Sequence, residues 1–379
     1  MNKVAILVFA IIITACASSQ SGYRGTMQVP KTVDSSKLNE LTELRERYLA
    51  SGRYREALEV SNKLIELMPD SALFYLARGG DYANIDKYQD AIADYEKALS
   101  MDRGNITKVP PVYFNMGTAY LSWGKNIEAI KYFDKALELD RRYPQALAHR
   151  GVAYHNIGKF DLAKTDLDAA LALDPKNATA YRFRANIYGL ANDYRKVVAD
   201  LSKSFELDPK KYGQDAALFQ NRGEAYHELG KPKEAFEDFD RALGLNPRYV
   251  LALVNRGKTY ADLGKYDLAL KDYDKAVEYE PNNDFALFWR GALYYSTDKL
   301  VPALEDLMKV VNLNPRHVAA HLLIIGVYSQ QNNVVGACQW LKKTFAAAKQ
   351  TGFNNWNYLK TSNEFENVRK AACYNEVMR

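Results

Sequence analysis

The sequence predicts an all-α fold, a right-handed α-solenoid of about nine helix–turn–helix repeats that ends in a short helical C-terminal cap. Three observations support this prediction: one residue pattern recurs about every 34 residues, apolar residues follow helical spacing, and Gly and Pro fall where helices must end. The clearest copy of the pattern consists of Arg256, Gly257, Tyr260, Ala269, Tyr273, Ala276 and Pro281. Stacked helical hairpins of this kind are typical of a binding surface rather than of an enzyme.

The copies align on the small residue that opens the second helix of each hairpin. These anchors are Ala57, Ala91, Ala129, Ala163, Val197, Ala235, Ala269, Ala303 and Ala337. Six of the eight intervals between anchors are 34 residues long and two are 38. The extra residues lie near Asn105–Val109 and near Lys210–Gln214. Both insertions fall between repeats, where a loop grows at small entropic cost.

Helix boundaries follow from Gly and Pro. The first helix of a hairpin often ends at a Gly-Lys pair, at Gly124, Gly158, Gly230 and Gly264. A Gly just beyond a helix adopts the left-handed conformation that caps it. Between the caps, apolar residues such as Ala225, Tyr226 and Leu229 fall at helical spacing. A Pro after the second helix prevents the helix from continuing and begins the next unit.

These residues resemble the tetratricopeptide-repeat family over roughly Lys37 to Gly352. The small residue of the family's first helix, helix A, matches Gly79, Gly117, Gly151, Ala185, Gly223, Gly257 and Gly291. Its helix A Tyr matches Tyr48, Tyr82, Tyr120, Tyr154, Tyr188, Tyr226, Tyr260, Tyr294 and Tyr328. Its closing Pro, after helix B, matches Pro69, Pro175, Pro209, Pro247, Pro281 and Pro315, whereas Arg103 and Arg141 depart from it. The resemblance implies a solenoid of nine such repeats over residues 37–351, whose first and ninth copies are degenerate caps.

Charged residues recur with the same period. The residue before the helix A small residue is Arg in six copies: Arg78, Arg150, Arg184, Arg222, Arg256 and Arg290. Sixteen residues later the same copies carry Asp94, Asp166, Asp200, Asp238, Asp272 and Asp306. The other three copies have neither charge. This co-variation predicts a bidentate ion pair between helices A and B. An Arg ladder for acidic ligands is the alternative, and it is less favoured because each Arg comes with its own carboxylate.

The N-terminus predicts a lipoprotein signal peptide over residues 1–15. A basic start at Lys3 precedes an apolar run, Val4–Thr14, that is too short to span a membrane. The run ends at Ile13–Cys16, which resembles the bacterial lipobox and implies cleavage before Cys16 and acylation of its thiol. An ordinary secretory signal that contains Cys is the alternative. Residues 16–36 are predicted to form the lipidated Cys and a flexible tether.

The residue after Cys16 and the number of cysteines indicate the cellular compartment of the protein. Ala17 rather than Asp follows Cys16, and in the enterobacterial sorting rule this implies the outer membrane, with the protein facing the periplasm. Two further cysteines, Cys338 and Cys373, are therefore expected in an oxidising compartment, where they are candidates for a disulfide. Two free thiols remain the open alternative. Residues 352–379 do not follow the repeat pattern. They resemble a C-terminal segment that caps the last repeat of such arrays.

Composition and motifs exclude several functions. The formal net charge of +5 is too small to indicate nucleic acid as a partner. No Cys-x-x-Cys, phosphate-binding loop or nucleophile elbow occurs. His317 and His321 have the spacing of two ligands on one helix, but they lack the adjacent Glu of a metalloprotease. We therefore predict no catalytic residues, no metal and no cofactor.

The resemblance places ligands on the concave face, against helix A. The candidate groove residues are Arg182, Asn186, Gln220, Glu224, His227, Lys258, Phe285, Phe288, Trp289 and Tyr295. An aromatic patch beside a mixed polar strip suits an extended peptide or an amphipathic helix. The family's clamp for a C-terminal carboxylate is rejected, because Glu224 would repel that carboxylate.

The sequence therefore predicts a membrane-anchored scaffold for protein–protein interaction in the bacterial envelope, of the kind that aids assembly of an outer-membrane or secretion complex. A regulator or activator of a cell-wall-processing enzyme is the alternative. A cytosolic co-chaperone is a third class, and it requires an uncleaved N-terminus.

Overall fold

The computed structural model describes residues 34–101, 108–354 and 356–378, and within these ranges the chain is all-α with no strand. The predicted signal peptide, Cys16 and nearly all of the tether lie outside the described residues. So does most of the first insertion. No helix in the described part of the chain is both long enough and apolar enough to cross a membrane.

The first four helix pairs lie in one compact unit, which comprises residues up to Asn192 together with 202–207. The helices are α1 Ser35–Ala50, α2 Tyr54–Leu67, α3 Ala72–Asn84, α4 Tyr88–Met101, α5 Pro110–Ser122, α6 Asn126–Leu139, α7 Pro144–Asn156, α8 Phe160–Leu173 and α9 Ala178–Leu190. Odd-numbered members of this set are helices A and even-numbered ones are helices B. In the first four pairs, each helix A packs along its own helix B.

The second compact unit comprises residues 193–201 and 208–379, so α10, Tyr194–Leu207, contributes to both units. Its further helices are α11 Pro209–Tyr212, α12 Ala216–Glu228, α13 Pro232–Leu245, α14 Val250–Asp262, α15 Tyr266–Tyr279, α16 Asp284–Ser296, α17 Leu300–Leu313, α18 Val318–Gln330 and α19 Val334–Thr351. Here α12, α14, α16 and α18 are helices A. The second insertion is not an open loop, because α11 is a helical turn whose Tyr212 is buried.

Every helix A ends at a residue in the left-handed conformation. The nine positions are Gly52, Asp86, Gly124, Gly158, Asn192, Gly230, Gly264, Asp298 and Asn332. The Gly-Lys pairs predicted only some of them. Asp and Asn take the other positions because their short polar side chains tolerate a positive φ better than other non-Gly residues do.

Small residues allow helices A and B to approach closely. A Cβ added at Gly257 would lie 2.5 Å from Cε1 of Tyr273, and one at Gly117 would lie 2.6 Å from the ring of Phe133. Both rings are buried. The helix A Gly and the helix B aromatic residue are therefore complementary parts of one packing layer. The anchor Ala residues are fully buried in the same layer.

Five of the six predicted ion pairs are confirmed as bidentate contacts between helices A and B: Arg78–Asp94, Arg150–Asp166, Arg222–Asp238, Arg256–Asp272 and Arg290–Asp306. In the second unit, Arg222 donates from Nε and Nη2 to Asp238 at 2.7 Å each. The sixth pair, Arg184 with Asp200, has one residue in each unit.

Four of these arginines, Arg78, Arg150, Arg256 and Arg290, also donate to a side chain on the preceding helix B, a contact that was not predicted from the sequence. Arg150 donates from Nη1 to Asp134 at 2.7 Å, and Arg290 donates in the same way to Asp274 at 2.9 Å. Hydrogen bonds to Asp166 and Asp134 raise the pKa of Arg150 above its ordinary value, although burial opposes the shift. Each of these guanidinium groups therefore links three helices and ties one repeat to the next.

The Arg222–Asp238 pair provides a test of this contribution. A double-mutant cycle on Arg222→Ala and Asp238→Ala should give a coupling energy of about 1–2 kcal/mol, between the values of exposed and fully buried pairs. The two side chains are 14% and 6% exposed. Hydrogen exchange of α12 amides measures the local opening free energy.

The matched control for that cycle is the surface pair Arg53–Glu56, whose side chains are 55% and 37% exposed. Its coupling, measured on the amides of α2, should be much smaller than that of Arg222–Asp238, because water screens an exposed pair. A coupling for Arg222–Asp238 that is no larger than this control would contradict a stabilising role for the repeated pairs.

The first repeat lacks the repeated pair and contains a different buried ion pair. The Arg45 guanidinium donates to Asp81 at 2.6 and 2.8 Å, and both side chains are almost fully buried. Ser61 Oγ also donates to Asp81, at 2.5 Å, and Arg45 Nη2 donates to the Ala77 carbonyl at 2.9 Å. This cluster joins α1, α2 and α3 at the end of the first unit.

The C-terminal segment consists of α20 Asn357–Thr361, a 3₁₀ turn Asn363–Phe365, α21 Glu366–Arg369 and α22 Ala372–Met378. Leu359, Phe365 and Val368 from it are fully buried in a core shared with α17, α18 and α19. Cys338 on α19 and Cys373 on α22 are joined in a disulfide, with their Cα atoms 5.8 Å apart. That distance lies within the usual range for a disulfide.

Candidate functional site

The ten candidate groove residues all lie on helices A, but in two separate units. Arg182 and Asn186 are on α9 in the first unit, and the other eight are on α12, α14 and α16 in the second. On α9, Arg182 Nη1 donates to Asn186 Oδ1 at 2.8 Å, one helical turn away. These two side chains form a half-exposed polar pair on their own helix.

His227 belongs to a hydrogen-bonded cluster between α12 and α14. Its Nδ1 lies 3.1 Å from Oγ1 of Thr259, and its Nε2 lies 3.4 Å from Oδ2 of Asp262. The imidazole side chain is only 14% exposed, whereas that of Asp262 is 71% exposed. His227 is therefore mostly buried and contacts Asp262, whose carboxylate is the exposed group of this cluster.

Gln220 was predicted to be available to a ligand, and this prediction is wrong. Gln220 is fully buried and donates from Nε2 to Glu224 Oε2 at 3.0 Å. The Gln220 side chain is buried between α12 and the neighbouring helices, and its amide orients the carboxylate of Glu224. Glu224 itself is partly exposed.

Three of the predicted groove residues form one aromatic and cationic cluster. Phe285 on α16 is 36% exposed and meets Trp289 edge to face, with ring centroids 6.3 Å apart. Lys258 Nζ on α14 lies 4.8 Å from the centroid of the Trp289 ring, a cation–π contact. The inner side of Trp289 packs against the core formed by α14 and α15.

Two of the predicted aromatic anchors belong to the core instead. Phe288 packs against the core of the last two repeats, with its ring centroid 4.6 Å from that of His317. Tyr295 is only 7% exposed. Its ring crosses α18 at Gly326, where a Cβ would collide with the phenol, and its hydroxyl donates to Glu364.

The reason for the burial of Tyr295 lies in the C-terminal segment. Ser329 Oγ donates to the Glu364 carbonyl, and Asn367 Nδ2 donates to the Ser329 carbonyl at 2.9 Å. The 3₁₀ turn of the tail thus lies across the same face of α16 and α18 on which a ligand was predicted. The chain covers this end of the predicted groove with its own residues.

The surface that remains on the second unit is the aromatic–acidic face, which we define as Glu224, Lys258, Asp262, Phe285 and Trp289. It offers one exposed ring beside a second ring that is half-buried. Lys258 lies over Trp289, and Glu224 on α12 and Asp262 on α14 add two partly or largely exposed carboxylates from the neighbouring helices A. The face therefore combines exposed aromatic surface with acidic side chains.

The structure places no metal ligands together: within the described residues, no group of three His, Cys, Asp or Glu side chains could hold a metal ion. His317 has a different role from the one its spacing with His321 suggested. Its Nδ1 accepts from the backbone N–H of Ala320 at 3.2 Å, so it caps the N-terminus of α18.

Family models described as tetratricopeptide repeat match residues 46–106, 110–143, 144–177, 216–249 and 250–283, together about half of the chain. Among curated proteins, the chain is 28% identical over 111 residues to small glutamine-rich tetratricopeptide repeat-containing protein 2 of Mycosarcoma maydis. It is also 28% identical over 103 residues to DnaJ homolog subfamily C member 7 of Mus musculus. These matches cover 29% and 26% of this chain, and 30% and 19% of the relatives.

Among solved structures, the APC/C hetero-tetramer Cut9–Hcn1 contains a similar chain, with a TM-score of 0.57 and 18% identity over 76% of this chain and 52% of that one. PilW, a type IV pilus biogenesis factor, aligns with a TM-score of 0.48 and 21% identity over 59% of this chain and 97% of its own. At 18% identity, the likeness to the Cut9–Hcn1 chain shows the fold alone. The repeated helix pairs, the small residues between them and the matching family models establish that this chain belongs to the tetratricopeptide-repeat family.

Proposed function

We propose that this protein is an interaction scaffold that binds a segment of a partner protein on the aromatic–acidic face. The observation that carries the proposal is the exposure of Phe285 beside Trp289. Glu224 and Asp262 contribute carboxylates from the neighbouring helices A, α12 and α14. The repeat fold itself requires one helix A Tyr per copy, so it does not account for Phe285.

The chemistry of this face defines the segment that would fit it. Aromatic side chains at the centre of an interface contribute most of the binding energy when they are fully desolvated on docking. An apolar side chain of the partner would therefore contact Phe285 and the outer edge of Trp289. A Lys or Arg near it would pair with Glu224 or Asp262, and this charge complementarity would orient the segment.

Site-specific photocrosslinking tests the docking surface directly. With p-benzoylphenylalanine in place of Phe285, we expect a crosslinked partner in cells, and its yield should fall at least ten-fold when Glu224→Lys and Asp262→Lys are added. Phe160 is the matched control position, because it is 38% exposed and lies on helix B in the first unit. Equal crosslinking from positions 285 and 160 would contradict the proposal.

We further propose that the scaffold is held at the bacterial envelope by acyl chains on Cys16. Two features support this: the apolar run that ends at Ile13–Cys16, and the bonding distance between Cys338 and Cys373, since disulfides persist in oxidising compartments. Its partner would then be a subunit of an outer-membrane or secretion complex. A crosslinked cell-wall-processing enzyme would instead favour the regulatory alternative.

The Cys16→Ser variant tests the anchor. We expect it to leave the fold unchanged and to move the protein from the membrane pellet to the soluble fraction, because a thiol is needed for acylation. Fractionation after a high-salt wash and labelling with radioactive palmitate measure this. Retention of the variant in the pellet, together with an unlabelled wild-type protein, would contradict the lipoprotein proposal.

A further inference from the structure

A cavity of about 450 Å³ lies in the second unit, between α17, α18 and α19. None of the residues of the aromatic–acidic face lines it. Val311, Pro315, Ala346 and Ala347 form its apolar floor, and the remaining lining side chains are Asn312, His321, Trp340, Lys343 and Gln350. Two of these, His321 and Trp340, depart from the repeat pattern.

His321 occupies a position that is apolar in the other repeats of this unit. The residues in the same register, 34 residues apart, are Phe219, Leu253 and Leu287, and all three are buried core residues. His321 is buried as deeply, at 5% exposure. At this core position beside the cavity, a polar side chain thus stands where the other repeats of this unit have an apolar side chain.

The imidazole of His321 is poorly satisfied in its hydrogen bonding. Neither ring nitrogen makes a hydrogen bond of good geometry, although the Pro315 carbonyl lies close enough to act as a weak acceptor that opposes the fall in the pKa of the ring. A buried polar group without a good hydrogen bond carries a free-energy cost. Burial lowers the pKa of His321, with smaller contributions from His317 and Lys343, and this favours the neutral ring. A bound ligand with an acceptor would relieve this cost.

Trp340 and Lys343 supply an aromatic wall and a positive charge. Trp340 stands where the preceding repeats carry the Asp of the ion pair, as at Asp306, and its ring meets His321 edge to face at 5.3 Å. Lys343 Nζ lies 4.2 Å from the centroid of the indole. At the rim, Arg316 Nε donates to Gln350 at 3.1 Å. No acidic side chain lines this cavity in the part of the chain that the structure describes.

We propose that this cavity binds a carboxylate attached to an apolar body. The carboxylate would accept from the His321 imidazole and pair with Lys343, and the apolar body would pack between Trp340 and the aliphatic floor. The volume lies within the range of small-ligand sites and suits one large side chain with its carboxylate. One lysine and one neutral imidazole match a single negative charge better than a phosphate dianion, which needs more donors.

Two sources share this chemistry: the C-terminal residue of a peptide and a free short-chain acid. The full chain would be titrated with N-acetylphenylalanine, with N-acetylphenylalaninamide and with hexanoate, and binding followed by the imidazole NMR signals of His321 and by tryptophan fluorescence. We expect saturable changes with N-acetylphenylalanine and binding at least ten-fold weaker for its uncharged amide. Comparable binding of hexanoate identifies a free acid as the source, and its failure to bind identifies a peptide C-terminus.

Two variants link the binding to this cavity. His321→Leu restores the residue of the preceding repeats, so it should abolish binding while the melting temperature stays equal or rises. Lys343→Ala should weaken binding at least ten-fold, and Lys309→Ala, the exposed residue in the same register one repeat earlier, should leave it unchanged. Equal affinity for the acid and its amide, no binding at ~10 mM, or equal effects of the two Lys variants would overturn the proposal. The outcome is independent of the partner proposed for the aromatic–acidic face.

Discussion

Replacing Asp81 with Ala should destabilise the N-terminal end of the first unit by about 3–5 kcal/mol, because the substitution removes the carboxylate that faces a buried guanidinium. The Arg45 and Asp81 side chains are 3% and 0% exposed, so water cannot replace the lost partner without opening the structure. The free energy of local opening, from hydrogen exchange of α1 to α3, measures the loss. Whole-chain unfolding is less suitable, since long repeat arrays do not unfold in a single step.

Two comparisons isolate the cause of this loss. Glu56→Ala removes a carboxylate from an exposed pair and should have little effect on stability, because water replaces the lost partner. The double substitution Arg45→Met with Asp81→Leu should recover most of the stability, because apolar side chains of similar size can replace a buried ion pair. A cost below about 1 kcal/mol for Asp81→Ala would show that the pair is not responsible for holding α1 against α3.

The helices were predictable from the sequence because each follows from local chemistry. A Gly at 124 can end a helix whatever surrounds it, and Gly257 allows close approach wherever helices A and B cross. The repeat then shows each rule in several copies, so one ambiguous copy is interpreted from its neighbours. The co-variation of Arg222 with Asp238 gave a correct contact for the same reason.

Contacts that occur once, or that join successive repeats, were not predicted. The second carboxylate on Arg150, Asp134, precedes it by 16 residues, and the same spacing recurs at Asp240–Arg256 and Asp274–Arg290. Each Arg was compared only with the Asp that follows it in its own repeat, so this contact was missed. Arg45 and Asp81 are 36 residues apart and have no counterpart in later repeats. Periodicity therefore cannot reveal them.

The candidate groove was predictable by helix face but not by exposure. Phe285 and Tyr295 lie on the same helix and were assigned to the same surface, yet only Phe285 is exposed. The difference arises from Glu364, almost seventy residues further along the chain, in a segment without the repeat. His321 was considered only as a partner of His317 in a metal pair. Leu287 occupies the same register one repeat earlier, so a comparison within the sequence identifies His321 as an unusual core residue.

A disulfide joins the C-terminal segment to α19, and Cys338→Ser should therefore let this segment open more often. The disulfide closes a loop of 35 residues, which on the chain-entropy model is worth roughly 3–4 kcal/mol. Hydrogen exchange of α20 to α22 should rise by two to three orders of magnitude at equilibrium, while α12 and α14 keep their protection. Cys373→Ser and the double variant should give the same result, because the loss of either cysteine removes the disulfide.

The release should also be visible at Tyr295, which the tail covers. Once Glu364 leaves, the phenol loses its acceptor and becomes accessible, so solvent accessibility of Tyr295 by oxidative footprinting should increase together with the exchange of the tail. Phe365 and Val368 oppose release because both are fully buried, so the tail is expected to open transiently rather than to detach. Unchanged exchange in Cys338→Ser would show that apolar packing alone holds the segment. Two free thiols in the mature protein, detected by alkylation, would show that the link does not form in its compartment.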